Sequence, residues 1–358
     1  MADNYAPRPV CRHSFSFSNW PPPVSRLDWS LLHSILQQHN SFLITSHVRP
    51  DADALGSELG LRYILQSLGK SACIWNGSAP PANLEFMDPD HSIRQYAGSA
   101  SKAEVPAVEV IIVVDTSAWQ QLGGMSDVIR ASTARRVVID HHVSADRLDA
   151  QEFRDTQAAA TGELIHELAE SLNLRFDAGT ANVLYAAIAT DTGWFRFPST
   201  TARTMRIAAS LLDQGAVPHD IYRLIHEQNS LARLRLAGRV LSRAVAEADG
   251  RMVWIQTEKT DLDETGAVAA DTEGLVNECL TVAGAEAAFI AVELQGGAIK
   301  FSLRCRSPHN VAAVAELFSG GGHTLASGCR LAGPMNAAVG RVREAMLEML
   351  ARSAPHSA

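Results

Sequence analysis

The sequence lacks a paired-cysteine framework and a long apolar run, and each absence excludes a class of protein. Its five cysteines are Cys11, Cys73, Cys279, Cys305 and Cys329, with no C-x-x-C pair among them. Scattered and odd in number, they are typical of reduced thiols in a cytoplasmic protein, not of a disulfide scaffold or a zinc knuckle. Because no apolar run approaches about 18 residues, no membrane span is expected.

Positive charge is also scarce. The formal net charge is −8, which argues against a protein that wraps long nucleic acid electrostatically. A phosphate-bearing ligand would therefore have to be met by local positive charge, from metal ions or a few arginines. Residues 1–26 are polar and lack an apolar core segment, so they predict a flexible tail and not a secretory signal.

The 358 residues are enough for two domains. Short apolar runs at 42–45, 108–114 and 137–139 predict buried strands, and residues 55–68 predict a helix. Strands that alternate with helices indicate an α/β fold with a mostly parallel sheet covered on both faces. We expect this first domain to occupy residues 27–228.

A different pattern follows the first domain. Residues 229–249 predict a helical linker. Residues 252–257 alternate like a strand, and the apolar runs at 287–294 and 299–303 flank Gly296-Gly297, a hairpin signal. With helices predicted near 310–318 and 337–350, residues 250–358 are expected to form a second, smaller α/β domain.

Acidic and histidine-containing motifs stand at the ends of four apolar elements in the first domain. They are His47-x-x-x-Asp51-x-Asp53, Asp115-Thr116-Ser117, Asp140-His141-His142 and Asp191-Thr192-Gly193. In an open parallel sheet, ligands bind at the carboxyl ends of the strands. Motifs that are far apart in the sequence are therefore expected to meet at one edge of the sheet.

The aspartates of these motifs would repel one another strongly unless cations lie between them. Two divalent ions would supply four positive charges, and pairs of ions roughly 3.5–4 Å apart suit phosphoryl chemistry. Mixed imidazole and carboxylate ligands favour manganese, iron or zinc over magnesium or calcium. Each motif alone has a plainer interpretation as a turn or a helix cap, but their joint occurrence favours a metal site.

The second domain carries a glycine motif and an arginine that could meet a phosphate. The motif is Ser319-Gly320-Gly321-Gly322-His323, and Arg304 ends the strand at 299–303. Glycines let a backbone approach a phosphate closely, and arginine can contact one in bidentate fashion. Alone, the glycines could equally be a flexible turn and Arg304 a solvated strand-end residue.

Together these motifs resemble those of the DHH phosphoesterases that carry a DHH-associated C-terminal domain. The resemblance rests on H-x-x-x-D-x-D-x-x-G-S at 47–57, D-H-H at 140–142 and G-G-G-H at 320–323, and it extends from about Ser41 to the C-terminal helix. The arrangement is most similar to the NrnA-type oligoribonucleases, which also dephosphorylate adenosine 3′,5′-bisphosphate. RecJ exonucleases share the motifs but are larger and carry further DNA-binding domains.

The resemblance implies a role for each motif residue. One metal would be held by His47, Asp51 and Asp115, and the second by Asp53, Asp115, His141 and Asp191, with Asp115 bridging. The catalytic assignments are His142, facing the scissile phosphate, and Asp140, orienting a histidine. Substrate would be bound by Arg304, Gly320, Gly321, Gly322 and His323. Two departures concern substrate only: Ser319 stands where relatives often have glycine, and S-L-R-C-R-S leaves Arg304 and Arg306 as alternatives.

The activity that the resemblance implies is hydrolysis of short oligoribonucleotides, adenosine 3′,5′-bisphosphate or both, by water activated between two divalent ions, with manganese preferred. Expected partners are short single-stranded RNA or small phosphorylated nucleotides and no membrane, and a homodimer stays open. One alternative is a phosphodiesterase for cyclic or linear dinucleotides. A second is inorganic pyrophosphatase, against which G-G-G-H argues, and a third is a nucleotide sensor without catalysis.

Overall fold

The computed structural model describes residues 27–98, 104–143 and 146–352. The described residues form two compact units, with the boundary between Glu227 and Gln228. The tail expected over residues 1–26 lies outside the described residues. Within the described part of the chain, no helix is long and apolar enough to cross a membrane.

The first unit is built on a six-stranded, wholly parallel sheet. Its strands are β1 (Ser41–Thr45), β2 (Ser71–Asn76), β3 (Ile93–Gln95), β4 (Val110–Val114), β5 (Arg135–Asp140) and β6 (Gln151–Arg154). Their spatial order is β3-β2-β1-β4-β5-β6. The order reverses between β1 and β4, and in an open α/β sheet that switch point forms the crevice in which ligands bind.

Helices cover both faces of this sheet. They are α1 (Ser30–Gln38), α2 (Ala52–Ser67), α3 (Met125–Ala131), α4 (Thr161–Ser171), α5 (Ala178–Asp191), α6 (Ala202–Asp213) and α7 (Pro218–His226). Alternate residues of β4 enter different cores: Val110 and Ile112 pack with α1, α2, α4 and α5, whereas Ile111 and Val113 pack with α3. Because both faces are buried, the strand is a continuous apolar run.

Two glycines let α2 and α5 pack unusually close. A Cβ added at Gly56 would lie 2.5 Å from the carbonyl oxygen of Val183, and one at Gly60 would lie 2.9 Å from the side chains of Ile165 and Leu184. A larger residue at either position would push the helices apart. The close packing sets the start of α2, which carries Asp53, relative to the end of α5, which carries Asp191.

The second unit contains a mixed six-stranded sheet. Its strands are β7 (Val245–Glu247), β8 (Met252–Thr257), β9 (Ala287–Glu293), β10 (Ala298–Cys305), β11 (Gly321–His323) and β12 (Ala326–Ala332). They lie in the order β11-β12-β10-β9-β8-β7, and all neighbours are antiparallel except β8 and β9. The helices are α8 (Leu231–Leu241), α9 (Lys259–Thr265), α10 (Leu275–Cys279), α11 (Val311–Glu316) and α12 (Met335–Arg352).

These sheets confirm the predicted fold class, a parallel-sheet α/β domain with a second α/β unit. The expected linker, residues 229–249, contains α8 and then β7. Leu236 and Val240 of α8 pack in an apolar core with β8 and β9, so this helix contributes to the core of the second unit. The last three residues of the glycine motif, for which a turn was an open interpretation, form strand β11.

Candidate metal centre

Three candidate ligands lie on the segment that joins β1 to α2. His47 is the second residue past β1, and Asp51 is the N-cap of α2, where its carboxylate accepts the N–H of Asp53 at 3.0 Å. Asp53 itself accepts the backbone N–H groups of Thr161 and Gly162 at 2.7 and 2.8 Å. The N–H groups at the start of α4, which have no partner within the helix, thus orient the Asp53 carboxylate.

Asp115 follows β4 directly and is almost fully buried. Its φ of +59° lies in the left-handed region, which is uncommon for a residue with a side chain. The hydroxyl of Thr161 donates to Asp115 Oδ1 at 2.9 Å. Thr161 therefore holds two candidate ligands, Asp53 through its N–H and Asp115 through its hydroxyl. The sequence analysis missed this residue.

The D-H-H motif lies at the end of β5. Asp140 is its last residue, is fully buried, and accepts hydrogen bonds from the Ser117 hydroxyl and from His142 Nδ1, the latter at 2.9 Å. His141 Nδ1 lies 3.3 Å from the carbonyl oxygen of Ala158. A donor bond there would leave His141 Nε2 free to act as a metal ligand.

The candidate ligand atoms collect into three overlapping groups, in each of which they lie within 4.8 Å of one another. The groups are His47, Asp51 and Asp115; Asp53, His141 and Asp191; and Asp115, His141 and His142. Asp115 belongs to two groups through different oxygens. Its Oδ2 lies 3.4 Å from His47 Nε2, and its Oδ1 lies 3.6 Å from His141 Nε2. The seven residues of these groups, and Asp140 through its bond to His142, thus converge at the switch point.

The pKa values of this cluster show how crowded its carboxylates are. Burial and the neighbouring Asp53 raise the pKa of Asp115 well above its usual range, and the same two causes raise the pKa of Asp191 to about 8. Burial opposes the charged form of His47, but hydrogen bonds with Asp115 and Asp51 still raise its pKa to about 11. A cluster of this kind takes up protons or cations, and its imidazole and carboxylate donors suit a divalent metal.

In the second unit, Arg304 and His323 occupy one cross-strand row. Arg304 of β10 is paired with Ala326 of β12, which is paired with His323 of β11. Residues directly opposite one another share a face of the sheet, so the two side chains lie on the same face. With strands about 4.8 Å apart, their Cα atoms are about 10 Å from each other. One phosphorylated ligand can therefore contact both.

The structure also distinguishes the two arginines that the sequence left as alternatives. Arg306 donates to the carbonyl oxygens of Ala285 at 3.1 Å and Leu280 at 2.8 Å, so its guanidinium holds the segment that joins α10 to β9. The hydrogen bond described for Arg304 is to the adjacent carbonyl of Leu303, at 2.9 Å. Arg306 thus fixes a distant part of the backbone, whereas the bond of Arg304 is to its own neighbour in the chain.

The structural reason for having glycine differs among the three glycine positions of the motif. A Cβ at Gly320 would collide with the carbonyl oxygen of Gly328, and one at Gly322 would lie 2.7 Å from that of Ala326. These two glycines are required for β11 to approach β12. A Cβ at Gly321 would meet nothing within 4 Å, so packing does not account for a glycine there, and its surroundings leave space for a ligand.

The parallel sheet with an Asp–His cluster at its switch point defines an α/β protein with a candidate metal centre, and comparison with known proteins identifies its family. Residues 41–188 match the DHH family, N-terminal domain. The chain is 31% identical over 312 residues to the bifunctional oligoribonuclease and PAP phosphatase NrnA of Thermus thermophilus, covering 87% of this chain and 90% of that one. The chain belongs to the DHH family, which confirms the resemblance seen in its motifs.

Two further relatives extend over most of the chain. The bifunctional oligoribonuclease and PAP phosphatase NrnA of Bacillus subtilis (strain 168) is 28% identical, with 82% of this chain and 90% of that one covered. The crystal structure of an exopolyphosphatase-related protein from Bacteroides fragilis superposes with a TM-score of 0.82 at 29% identity, covering 90% of this chain and 97% of that one. The similarity therefore includes both units.

Proposed function

We propose that this protein is a metal-dependent phosphoesterase that hydrolyses short oligoribonucleotides, adenosine 3′,5′-bisphosphate or both. The observation that carries the proposal is the position of Asp115, whose two oxygens face separate groups of histidine and carboxylate ligands. The names of the two NrnA relatives support the substrate class. The family alone would leave the substrate open, because one fold hosts many activities.

Two ions fit the donor set. His47, Asp51 and Asp115 would hold one, and Asp53, Asp115, His141 and Asp191 the other; manganese suits this mixture of imidazole and carboxylate. When bound, the ions supply an activated water and neutralise charge on the phosphoryl oxygens. Thr161 and the start of α4 keep Asp53 and Asp115 oriented, which is the positioning that a metal site needs from its surroundings.

His142 is the proposed catalytic residue of the chain itself. Asp140 holds its Nδ1 at 2.9 Å, and this hydrogen bond raises the pKa of His142. The ring is about half exposed, at 47% of its side-chain surface, so Nε2 is left for the substrate. A protonated His142 would stabilise the phosphoryl oxygens or donate a proton to the leaving oxygen.

Arg304 and His323 are proposed to bind substrate and not metal. We expect Arg304→Ala and His323→Ala each to raise KM at least about tenfold, which corresponds to about 1.4 kcal/mol of lost binding, with a smaller change in kcat. Steady-state kinetics on adenosine 3′,5′-bisphosphate measures both. Manganese binding should be unchanged in either variant.

Arg330→Ala is a matched control for these substitutions. Arg330 is exposed on β12, four residues along from Ala326 and therefore on the same face of the sheet, about 13 Å from the Arg304–His323 row. Its loss should leave KM unchanged. An equal rise in KM for Arg330→Ala would mean that general positive charge, and not the row, attracts substrate. Lost manganese binding with unchanged KM in Arg304→Ala would contradict the assignment.

A panel of substrates assayed with manganese tests the proposed function directly. It compares adenosine 3′,5′-bisphosphate, oligoribonucleotides of two to about twenty units, cyclic and linear dinucleotides, and pyrophosphate. Turnover restricted to the dinucleotides would favour the dinucleotide phosphodiesterase. Binding without turnover across the whole panel would favour a sensor and refute the enzyme.

We expect kcat/KM to fall as the oligoribonucleotide exceeds about five units. Affinity for long strands comes from many phosphate contacts with lysine and arginine. A chain with a net charge of −8 has no excess of these residues to make such contacts. Nucleotides added beyond the first few should therefore contribute little further affinity. Processive degradation of a twenty-unit strand at the rate of the dimer would contradict this and indicate a RecJ-like exonuclease.

A further inference from the structure

An unusual turn follows the candidate metal ligand Asp191. Three successive residues have positive φ: Gly193 at +54°, Trp194 at +58° and Phe195 at +62°. Aromatic residues rarely adopt this conformation, and it persists only where the surrounding structure enforces it. Such strain often accompanies a binding function.

Hydrogen bonds hold the turn in place. The backbone N–H groups of Arg196 and Phe197 both donate to the carbonyl oxygen of Thr192 at 3.0 Å, and the N–H of Trp194 donates to that of Ala189. The hydroxyl of Thr192 accepts the N–H of Phe195 at 3.1 Å. These hydrogen bonds fix the backbone conformation of the turn.

The three aromatic side chains of the turn have different surroundings. Trp194 donates its indole N–H to His226 and meets the ring of Tyr222 edge-on, with centroids 4.8 Å apart. Phe195 packs against Tyr185, with centroids 5.7 Å apart. Trp194 and Phe195 are therefore used in packing within the first unit.

Phe197 is different, because one edge of its ring packs on the backbone and the rest of the ring is exposed to solvent. A Cβ at Gly193 would lie 2.5 Å from its Cε1 and Cζ atoms, so the ring rests on the backbone of Gly193. The residue is nevertheless 50% exposed. Among the described residues, no other aromatic ring pairs with it. A side chain at position 193 would collide with this ring, so glycine is needed there.

The contact between Phe197 and Gly193 lies close to the metal centre along the chain. Gly193 is two residues after Asp191, whose carboxylate is 3.3 Å from His141 Nε2. Two Cα steps and the ring contact place the Phe197 ring within about 12 Å of the Asp191 Cα. This limit is compatible with a nucleotide that places its phosphate at the cluster and its base against the ring.

We propose that the exposed part of Phe197 is a stacking site for a nucleobase, that of the nucleoside bearing the phosphate held at the metal centre. The proposal rests on the phosphoesterase function proposed above and extends it to the nucleoside part of the substrate. A rigid, partly exposed aromatic ring beside a phosphate site suits base stacking, which tolerates any base because every base has a π face. The site would therefore distinguish nucleotides from sugar phosphates without selecting one base.

The test compares a substrate with and without its base. Phe197→Ala should raise KM for adenosine 3′,5′-bisphosphate about tenfold or more, the size expected for the loss of one base–aromatic stack. KM for ribose 3,5-bisphosphate should not change, because that compound has no base to stack. The Phe197→Trp variant, which keeps an aromatic ring at this position, should have the KM of the wild type. Steady-state kinetics on the manganese-loaded protein measures all of these.

Met205→Ala is the matched control, because Met205 on α6 is equally exposed, at 49%, and apolar; it should change neither KM. Equal KM changes on both substrates, or none, would overturn the stacking site. If the wild type hydrolyses neither these compounds nor a short oligoribonucleotide, the proposed function fails separately. Calorimetric binding of the two compounds to the manganese-loaded protein then decides, since Phe197→Ala should weaken only adenosine bisphosphate.

Discussion

Replacing Asp115 with asparagine should lower kcat at least about a thousandfold, a loss of about 4 kcal/mol in transition-state stabilisation, and should reduce the number of manganese ions bound. The reason is geometric. One oxygen of Asp115 faces His47 and the other faces His141, so a single amide would disturb both ligand groups while keeping the shape of the side chain. Single-turnover kinetics and manganese titration followed by electron paramagnetic resonance measure the two effects.

Two further variants delimit this effect. Thr161→Val removes the hydroxyl that donates to Asp115 but keeps the N–H that donates to Asp53, so a loss of about 10- to 100-fold is expected, as for other partners of metal ligands. Asp127→Asn, at an exposed position on α3, should leave activity unchanged. If Asp115→Asn kept more than about a tenth of the wild-type rate, the loss would be below about 1.4 kcal/mol and Asp115 would not bridge two ions.

The strands that position the site could be predicted because their sequences are decided by burial. β1, β4 and β5 are adjacent strands at the centre of the sheet and are covered on both faces, so they are continuous apolar runs whose ends are easy to locate. Asp115 and Asp140 stand at those ends. Once a parallel sheet is predicted, the carboxyl-end rule brings their motifs together without further information.

What could not be predicted depends on contacts between distant segments. The bond from Thr161 to Asp115 links residues 46 positions apart, and no local pattern encodes it; the only signal is a Thr-Gly pair before an amphipathic helical stretch. The strand β11 was missed because three residues, two of them glycine, have little strand propensity of their own. Its pairing with β12 produces the row that contains Arg304 and His323.

The packing of helix α8 is another feature that the sequence alone could not predict. The helix occupies Leu231–Leu241 of the segment for which a helical linker was expected, but whether a helix connects two domains or packs in one of them depends on which apolar surface its leucines meet. Leu236 and Val240 are fully buried among residues of β8 and β9. The amphipathic pattern indicates that such a buried face exists, but it does not identify the surface that covers it.

Removing divalent ions with a chelator should abolish activity and lower the melting temperature, with manganese restoring both best. Ligands that bind the folded state stabilise it by about 2.7 kcal/mol at a hundred times their dissociation constant. The metal-free protein should also lose stability as pH rises. The pKa of Asp191 is raised by burial and by Asp53 to about 8, so the folded state holds a proton that the unfolded chain releases near pH 4.

The direction of this pH dependence follows from the difference between the folded-state and unfolded-state pKa values of Asp191. A raised folded-state pKa gives a contribution that is fully present below the unfolded pKa and is lost as pH rises through about 8. Melting curves of chelated protein at pH 6 and pH 9 should therefore show lower stability at pH 9, and Asp191→Asn should reduce the difference. Manganese, which displaces the proton, should also reduce it. Full activity in excess chelator would refute the metal centre, and an equal pH dependence with and without manganese would show that the carboxylate cluster is not where the ion binds.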